Sequence, residues 1–191
     1  GRRIYDNILK TILFLLSTNL GEVILLFITS IFNMGIPLLP IHILWINLVS
    51  ETFPALALSL DPAAKDVMSK SPRGKGKQFM DRGMIWRISY QGLMVTAITL
   101  TAFIIGKNQG GEALGQTMAF TSLIMAKLVH AGNLHSNTES RFKFNILNNK
   151  PLIFALLMSL VLTLAVLLIA PLMSAFEFVS MNLNQWGIIV L

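Results

Sequence analysis

The sequence predicts an all-α protein, a polytopic transmembrane helical bundle of five full spans plus the start of a sixth. Three observations predict it. First, 54% of the 191 residues are hydrophobic and only 13% are charged, against about 25% charged in soluble domains. The mean hydropathy is +0.68. So little polar side chain cannot cover so much apolar surface in water, and lipid must be part of the solvent. Second, the apolar residues gather into runs of about 20, the length a helix needs to cross a hydrocarbon core about 30 Å thick. Third, the basic residues fall almost entirely on one side of those runs. Disordered chains are poor in hydrophobics, which excludes that class. With no cysteine, a disulfide scaffold and thiolate metal sites are excluded too.

The elements follow in order. The first span, 8–32, carries Ser17-Thr18-Asn19 and Glu22 near its middle, with Lys10 close to its start. Asn33-Met34-Gly35-Ile36-Pro37 then carries turn residues, and so short a connection makes the flanking spans neighbours. The second span, 38–60, contains Asn47, Ser50, Glu51 and Pro54. The polar stretch 61–83 holds Pro62, Ser71-Pro72 and Gly74-Lys75-Gly76-Lys77. Spans 84–106, 113–134 and 152–173 follow, and a sixth begins near Leu183. There is no internal repeat. The chain starts at Gly1 and stops inside the apolar run 186–191, so the expectation is a fragment of a longer membrane protein.

Thirteen basic residues lie on one side of these spans: Arg2, Arg3, Lys10, Lys65, Lys70, Arg73, Lys75, Lys77, Arg82, Arg87, Arg141, Lys143 and Lys150. Lys107 is alone on the other side, and Lys127 lies inside a span. Positive residues favour the cytoplasm, so the N-terminus is expected there, in a multi-pass protein of a prokaryotic plasma membrane. The net charge of +6 is then a topology signal, and no nucleic-acid partner is expected. The loop 61–83 reads either as that signal or as a docking surface for a cytoplasmic partner or domain.

An ionisable side chain at the bilayer centre costs about 2.5–3.5 kcal/mol on insertion scales. Glu22, Glu51 and Lys127 bear that cost. Asn19 and Glu22 are spaced i, i+3 and share one helical face, and Gly21 permits close approach of another helix. Asn47, Ser50 and Glu51 are spaced i, i+3, i+4 and share another face. Pro54 crowds the carbonyl of Ser50 and has no N–H to offer it, which frees backbone carbonyls beside the carboxylate. Asn19, Glu22, Asn47, Ser50 and Glu51 form an all-oxygen set suited to calcium or another hard cation. They supply about four to six side-chain oxygens, and calcium takes about six to eight. Backbone, water or helices outside the chain must complete the shell. The bland alternative is protonated carboxylates gluing helices together, but interhelical hydrogen bonds average only about 0.6 kcal/mol, so an ion pathway is favoured. Lys127 either snorkels to the interface or serves as an internal cation paired with Glu22 or Glu51. His42, His130 and His135 lack ligand partners at useful spacing. Trp86 and Trp186 suit interfacial belts. No nucleophile–base constellation and no phosphate loop is present.

Gly1-Arg2-Arg3-Ile4-Tyr5-Asp6-Asn7-Ile8 and Asn19-Leu20-Gly21-Glu22-Val23 resemble the fifth transmembrane helix of P-type cation ATPases. Leu44-Trp45-Ile46-Asn47-Leu48-Val49 with Pro54-Ala55-Leu56-Ala57-Leu58 resembles the sixth. Asp61-Pro62, Asp66-Val67-Met68 and Pro72-Arg73 resemble the loop after it, and Asn184-Gln185-Trp186 the start of the tenth. The nearest subgroup is the calcium-pump-like type II ATPases. The resemblance covers essentially the whole chain and is most specific over 1–73.

It implies the C-terminal membrane domain of a pump that couples ATP hydrolysis to ion movement through an aspartyl-phosphate. ATP and Mg2+ would bind in cytoplasmic domains outside this chain, which with the first four helices and the lipid would be its partners. The fragment alone would be inactive. Asn19 and Glu22 match the family's fifth-helix ligands, and Asn47 matches its sixth-helix asparagine. Ser50-Glu51 stands where Thr-Asp is usual, and Thr52 replaces the Gly that follows. Lys127, aligned through Ala131 and Asn133, falls where two-site calcium pumps carry a Glu. A fixed ammonium there would repel a second divalent ion, so the resemblance implies one transported cation per cycle, with Lys127 filling the other subsite. A secondary cation transporter or channel with Glu22 and Glu51 as ion or proton sites is the alternative, and a non-transporting membrane scaffold is a third reading.

Overall fold

The computed structural model describes residues 2–60, 81–136 and 149–190, and all of their regular structure is helical. The loop 61–80, with Lys65, Lys70, Arg73, Lys75 and Lys77, lies outside the described residues, as do Arg141 and Lys143. The topology and docking readings of the basic loop therefore fall outside them too.

Helix α1 (Arg2–Ile31) covers the first predicted span, 8–32, except its last residue. It ends because Asn33 takes φ 50, a left-handed cap that short polar side chains tolerate. Asn33 N–H then donates to Ser30 O at 3.2 Å and Met34 N–H to Thr29 O at 2.9 Å. Those two bonds complete a Schellman motif. Gly35 follows at φ 101, a conformation that glycine adopts without strain.

The second span has three parts: α2 (Pro40–Trp45), a π-helical segment (Ile46–Glu51) and α3 (Thr52–Ser59). The irregularity expected upstream of Pro54 is thus present, as a π segment ending on Glu51.

Helix α4 (Arg82–Ser136) is 55 residues long, which would reach about 80 Å if straight at about 1.5 Å per residue. It is broken at Gly110 (φ −152, ψ 21) and Gly111 (φ 83, ψ −173). The two arms fold back on each other. A Cβ on Gly106 would sit 2.8 Å from Gly115 Cα, and one on Gly115 would sit 2.9 Å from Phe103 O. The predicted stretches 84–106 and 113–134 are the arms of this hairpin, and helical turns continue through most of the gap between them.

Helix α5 (Lys150–Leu168) is capped by Asn149, whose Oδ1 accepts from Leu152 N–H at 2.9 Å. The predicted span 152–173 is divided at Ile169 (φ −85, ψ 113), after which α6 (Ala170–Ala175) begins. Pro171 has no N–H for the carbonyl of residue 167, so the helix cannot run on unbroken. Helix α7 (Leu183–Val190) starts on a capping box: Asn182 Oδ1 accepts from Gln185 N–H at 2.9 Å, and Gln185 Oε1 accepts from Asn182 N–H at 2.8 Å.

The stretches Ile4–Ile31, Pro40–Ser59, Arg82–Leu134 and Lys150–Leu168 are long and apolar enough to cross a membrane, the third with two arms. Helix α1 packs along α4 and α3, and α5 packs on α3 and the π segment. Helices α1 and α4 approach closely at Gly21 and Gly92, where a Cβ on Gly21 would lie 3.0 Å from Gly92 O. Thr96 Oγ1 reaches Gly21 O across the same contact at 3.0 Å. Leu44, Leu48, Leu56, Phe27 and Val161 remain exposed, as apolar side chains facing lipid or further helices do.

The connection between the first two spans is clamped by the α4 hairpin. Glu112 Oε1 accepts from Ile36 N–H at 2.8 Å, Gln116 Nε2 donates to Ile36 O at 2.9 Å, and Lys107 Nζ donates to Met34 O. This fixes α2 and the π segment relative to α1 from the end opposite the basic loops.

Candidate functional site

Three elements meet in the middle of the bundle. Helix α1 supplies Thr18, Asn19 and Glu22, the π segment supplies Glu51, and the second arm of α4 supplies Lys127. Thr18 is four residues before Glu22 and Asn19 three, so α1 presents all three on one face.

Lys127 points inward. Its side chain is 0% exposed, and Nζ donates to both Glu22 Oε1 and Glu51 Oε1, the second at 2.5 Å. Of the two readings of Lys127, the internal cation is the observed one. Snorkelling loses because two carboxylates within reach offer the ammonium more than the distant interface does. Asn19 Nδ2 donates to Glu51 Oε2 at 3.2 Å. The single proton of the Thr18 hydroxyl has three acceptors in reach, Glu51 Oε1 at 2.8 Å, Phe14 O at 2.9 Å and Leu15 O at 3.3 Å. Both oxygens of Glu51 are thus engaged, and Glu22 and Glu51 are both buried. Breaking such a buried pair by removing one partner costs about 3–5 kcal/mol, because a charge is left uncompensated. Two carboxylates and one ammonium carry a formal charge of −1 when all are ionised.

The other candidates are placed differently. Ser50 is 0% exposed, and its hydroxyl has no partner among the described residues. Asn47 is exposed, and its carbonyl accepts from Thr52 Oγ1 at 2.9 Å. The structure therefore gathers Asn19, Glu22 and Glu51 around Lys127, keeps Ser50 buried beside Glu51, and leaves Asn47 on an open face. Among the described residues, no group of three His, Cys, Asp or Glu side chains could hold a metal.

Sequence reasoning missed two side chains. Thr18 was legible as the i−4 neighbour of Glu22. Ser159 of α5, whose Oγ donates to Val49 O of the π segment at 3.2 Å, left a fainter signal. It pairs with Thr163 at i+4 within an otherwise apolar run, and both are buried.

His42 and His130 are satisfied core residues. His42 Nε2 bonds Phe176 O at 2.8 Å while Nδ1 accepts from Leu39 N–H at 3.2 Å. His130 Nε2 meets Ser17 Oγ at 2.9 Å, one turn from Lys127.

Residues 35–191 match the family described as cation transporting ATPase, C-terminus. The chain belongs to this cation-transporting ATPase family. Over its whole length it is 39% identical to Calcium-transporting ATPase 1 of Bacillus cereus and 36% identical to Calcium-transporting ATPase of Bacillus subtilis. Over 97% of its length it is 28% identical to Endoplasmic reticulum calcium ATPase srcA of Aspergillus fumigatus. The chain spans less than a quarter of these relatives, 23%, 22% and 22% of their lengths respectively. Its apolar helices and this membership make it an integral membrane protein. Within this cation-ATPase chain, Glu51 and Lys127 lie inside the matched region, while Thr18, Asn19 and Glu22 precede it.

Proposed function

We propose that this chain is the C-terminal membrane domain of an ATP-driven calcium pump, helices five to ten, with its N-terminus in the cytoplasm of a prokaryotic cell. The supporting observation is the meeting of Glu22, Asn19 and Glu51 around one ammonium at membrane depth. The transported cation binds to these oxygens, completed by Ser50, Asn47, backbone, water or helices outside the chain. Calcium is the substrate because the donors are hard oxygens and the relatives bear the names of calcium-transporting ATPases. ATP and Mg2+ act on cytoplasmic domains of the same pump, outside this chain.

Lys127 is the resident cationic partner of the two carboxylates. A divalent ion about 4 Å from an ammonium is repelled by about 8 kcal/mol at an effective permittivity of about 20, so both cannot share one carboxylate pair unchanged. On loading, the ammonium keeps one part of the cluster and the ion takes the other. One calcium ion per cycle follows.

The test is ion-dependent phosphorylation of the complete pump with calcium, manganese, sodium and potassium in turn. Calcium is expected to give an acid-stable phosphoenzyme at the lowest concentration. Phosphorylation driven by sodium or potassium and not by calcium would overturn the substrate. Transport without any phosphoenzyme would point instead to a secondary transporter.

A further inference from the structure

We propose that Ser159 is a positioning residue of the cation site, holding the backbone turn that aims Glu51. The proposal rests on the reading of Glu51 as a ligand of the transported cation.

Residues Ile46–Glu51 are wound as a π-helix, whose backbone pairs carbonyl i with the N–H of residue i+5. Three residues past that segment Pro54 has no N–H, so one carbonyl of this stretch loses its helical donor. Val49 is buried, where an acceptor without a donor is costly. Ser159 Oγ donates to this carbonyl at 3.2 Å, from a helix 110 residues further along the chain. A serine inside a helix commonly bonds the carbonyl four residues earlier. Ser159 instead reaches across to the neighbouring segment, and it is 0% exposed. At the other end of the π segment, Thr52 Oγ1 meets the carbonyl of Asn47 within its own helix at 2.9 Å. The two hydroxyls differ in consequence, because the Thr52 bond travels with the second span while the Ser159 bond anchors that span to α5.

Returning the π segment to an α register would rotate one side of it against the other by about 100°, the angle per residue of an α-helix. Glu51, the last residue of the segment, would then turn away from Thr18, Asn19 and Lys127. Ser159 acts through Glu51 and touches no ion itself.

The experiment compares Ser159→Ala, Ser159→Thr and Glu51→Gln in the complete pump. It reads the calcium concentration for half-maximal phosphorylation from ATP, and phosphorylation from inorganic phosphate without calcium. Ser159→Ala is expected to raise the half-maximal calcium about tenfold, the scale of one buried hydrogen bond, with phosphorylation from inorganic phosphate unchanged. Ser159→Thr keeps the hydroxyl and is expected to stay within about twofold of the parent. An unchanged half-maximal calcium in Ser159→Ala overturns the proposal. So does an equal shift in Ser159→Thr, or an equal loss of both reactions in Ser159→Ala, which marks a structural role alone. If Glu51→Gln leaves the calcium dependence unchanged, the reading of Glu51 as a ligand has failed, whatever Ser159 does.

Discussion

The Lys127 ammonium lies 2.5 Å from Glu51 Oε1, the same oxygen that Thr18 Oγ1 approaches at 2.8 Å. A third helix thus reaches into the pair formed by the first two spans and supplies an amino group to both carboxylates.

Lys127→Met removes the ammonium and leaves Glu22 and Glu51 facing each other in a buried site. Without calcium the variant is expected to lose about 3–5 kcal/mol of stability, the usual cost of orphaning a buried charge. Calcium should restore much of it by taking the ammonium's place. Thermal inactivation in detergent, with and without calcium, checks this. A loss that calcium does not relieve would contradict it.

Glu22→Gln and Glu51→Gln keep the side-chain shape and remove the charge. Each is expected to weaken calcium-stimulated phosphorylation by about tenfold to a hundredfold, the range for losing a charge-assisted interaction. Calcium titration of phosphoenzyme formation measures it. Unchanged calcium dependence in both variants would remove the proposed site.

Gly21→Ala would place a Cβ 3.0 Å from Gly92 O and 3.1 Å from Val95 Cβ. Backbone cannot yield as a flexible side chain can, so the expected cost is about 1–3 kcal/mol from overpacking. Gly187→Ala is the control. Its Cβ meets nothing within 4 Å, and an alanine in a helix is neutral or mildly stabilising. Denaturation of the two variants side by side decides the point.

Gly35→Ala tests the clamped connection. At φ 101 an L side chain is strained wherever the neighbours lie, and here a Cβ would also meet Glu112 Oε1 at 2.8 Å and Lys107 Nζ at 2.9 Å. The long side chains can shift, whereas the backbone strain remains. A stability loss of at least about 1 kcal/mol is expected, read as a lower midpoint of thermal unfolding. A midpoint equal to the parent's would show that the loop relaxes freely.

The helices are largely legible because an apolar run of span length has few alternatives, and Asn33, Gly35 and Pro37 mark a turn with known chemistry. The break at Ile169 was less so, since the residues around Pro171 stay apolar and read as one span. Glu22 and Glu51 stood out because a carboxylate at membrane depth is costly. Lys127 did not resolve into one role from its position alone, because whether it snorkels depends on carboxylates supplied by other helices. Thr18 and Ser159 were hidden for a different reason. A hydroxyl in a helix can satisfy itself on its own backbone, as Thr18 does at Phe14 O and Thr163 at Ser159 O. It therefore carries no visible penalty that would demand a partner. Asn47 shows the converse, since helical spacing places it beside Glu51 but its side chain lies exposed.

On the proposed function, the ammonium of Lys127 occupies part of a carboxylate cluster that a second divalent ion would otherwise need. Calcium transported per ATP hydrolysed, measured on the complete pump in sealed vesicles, tests it most directly. One calcium ion per ATP is expected, and a ratio of two would overturn that role of Lys127.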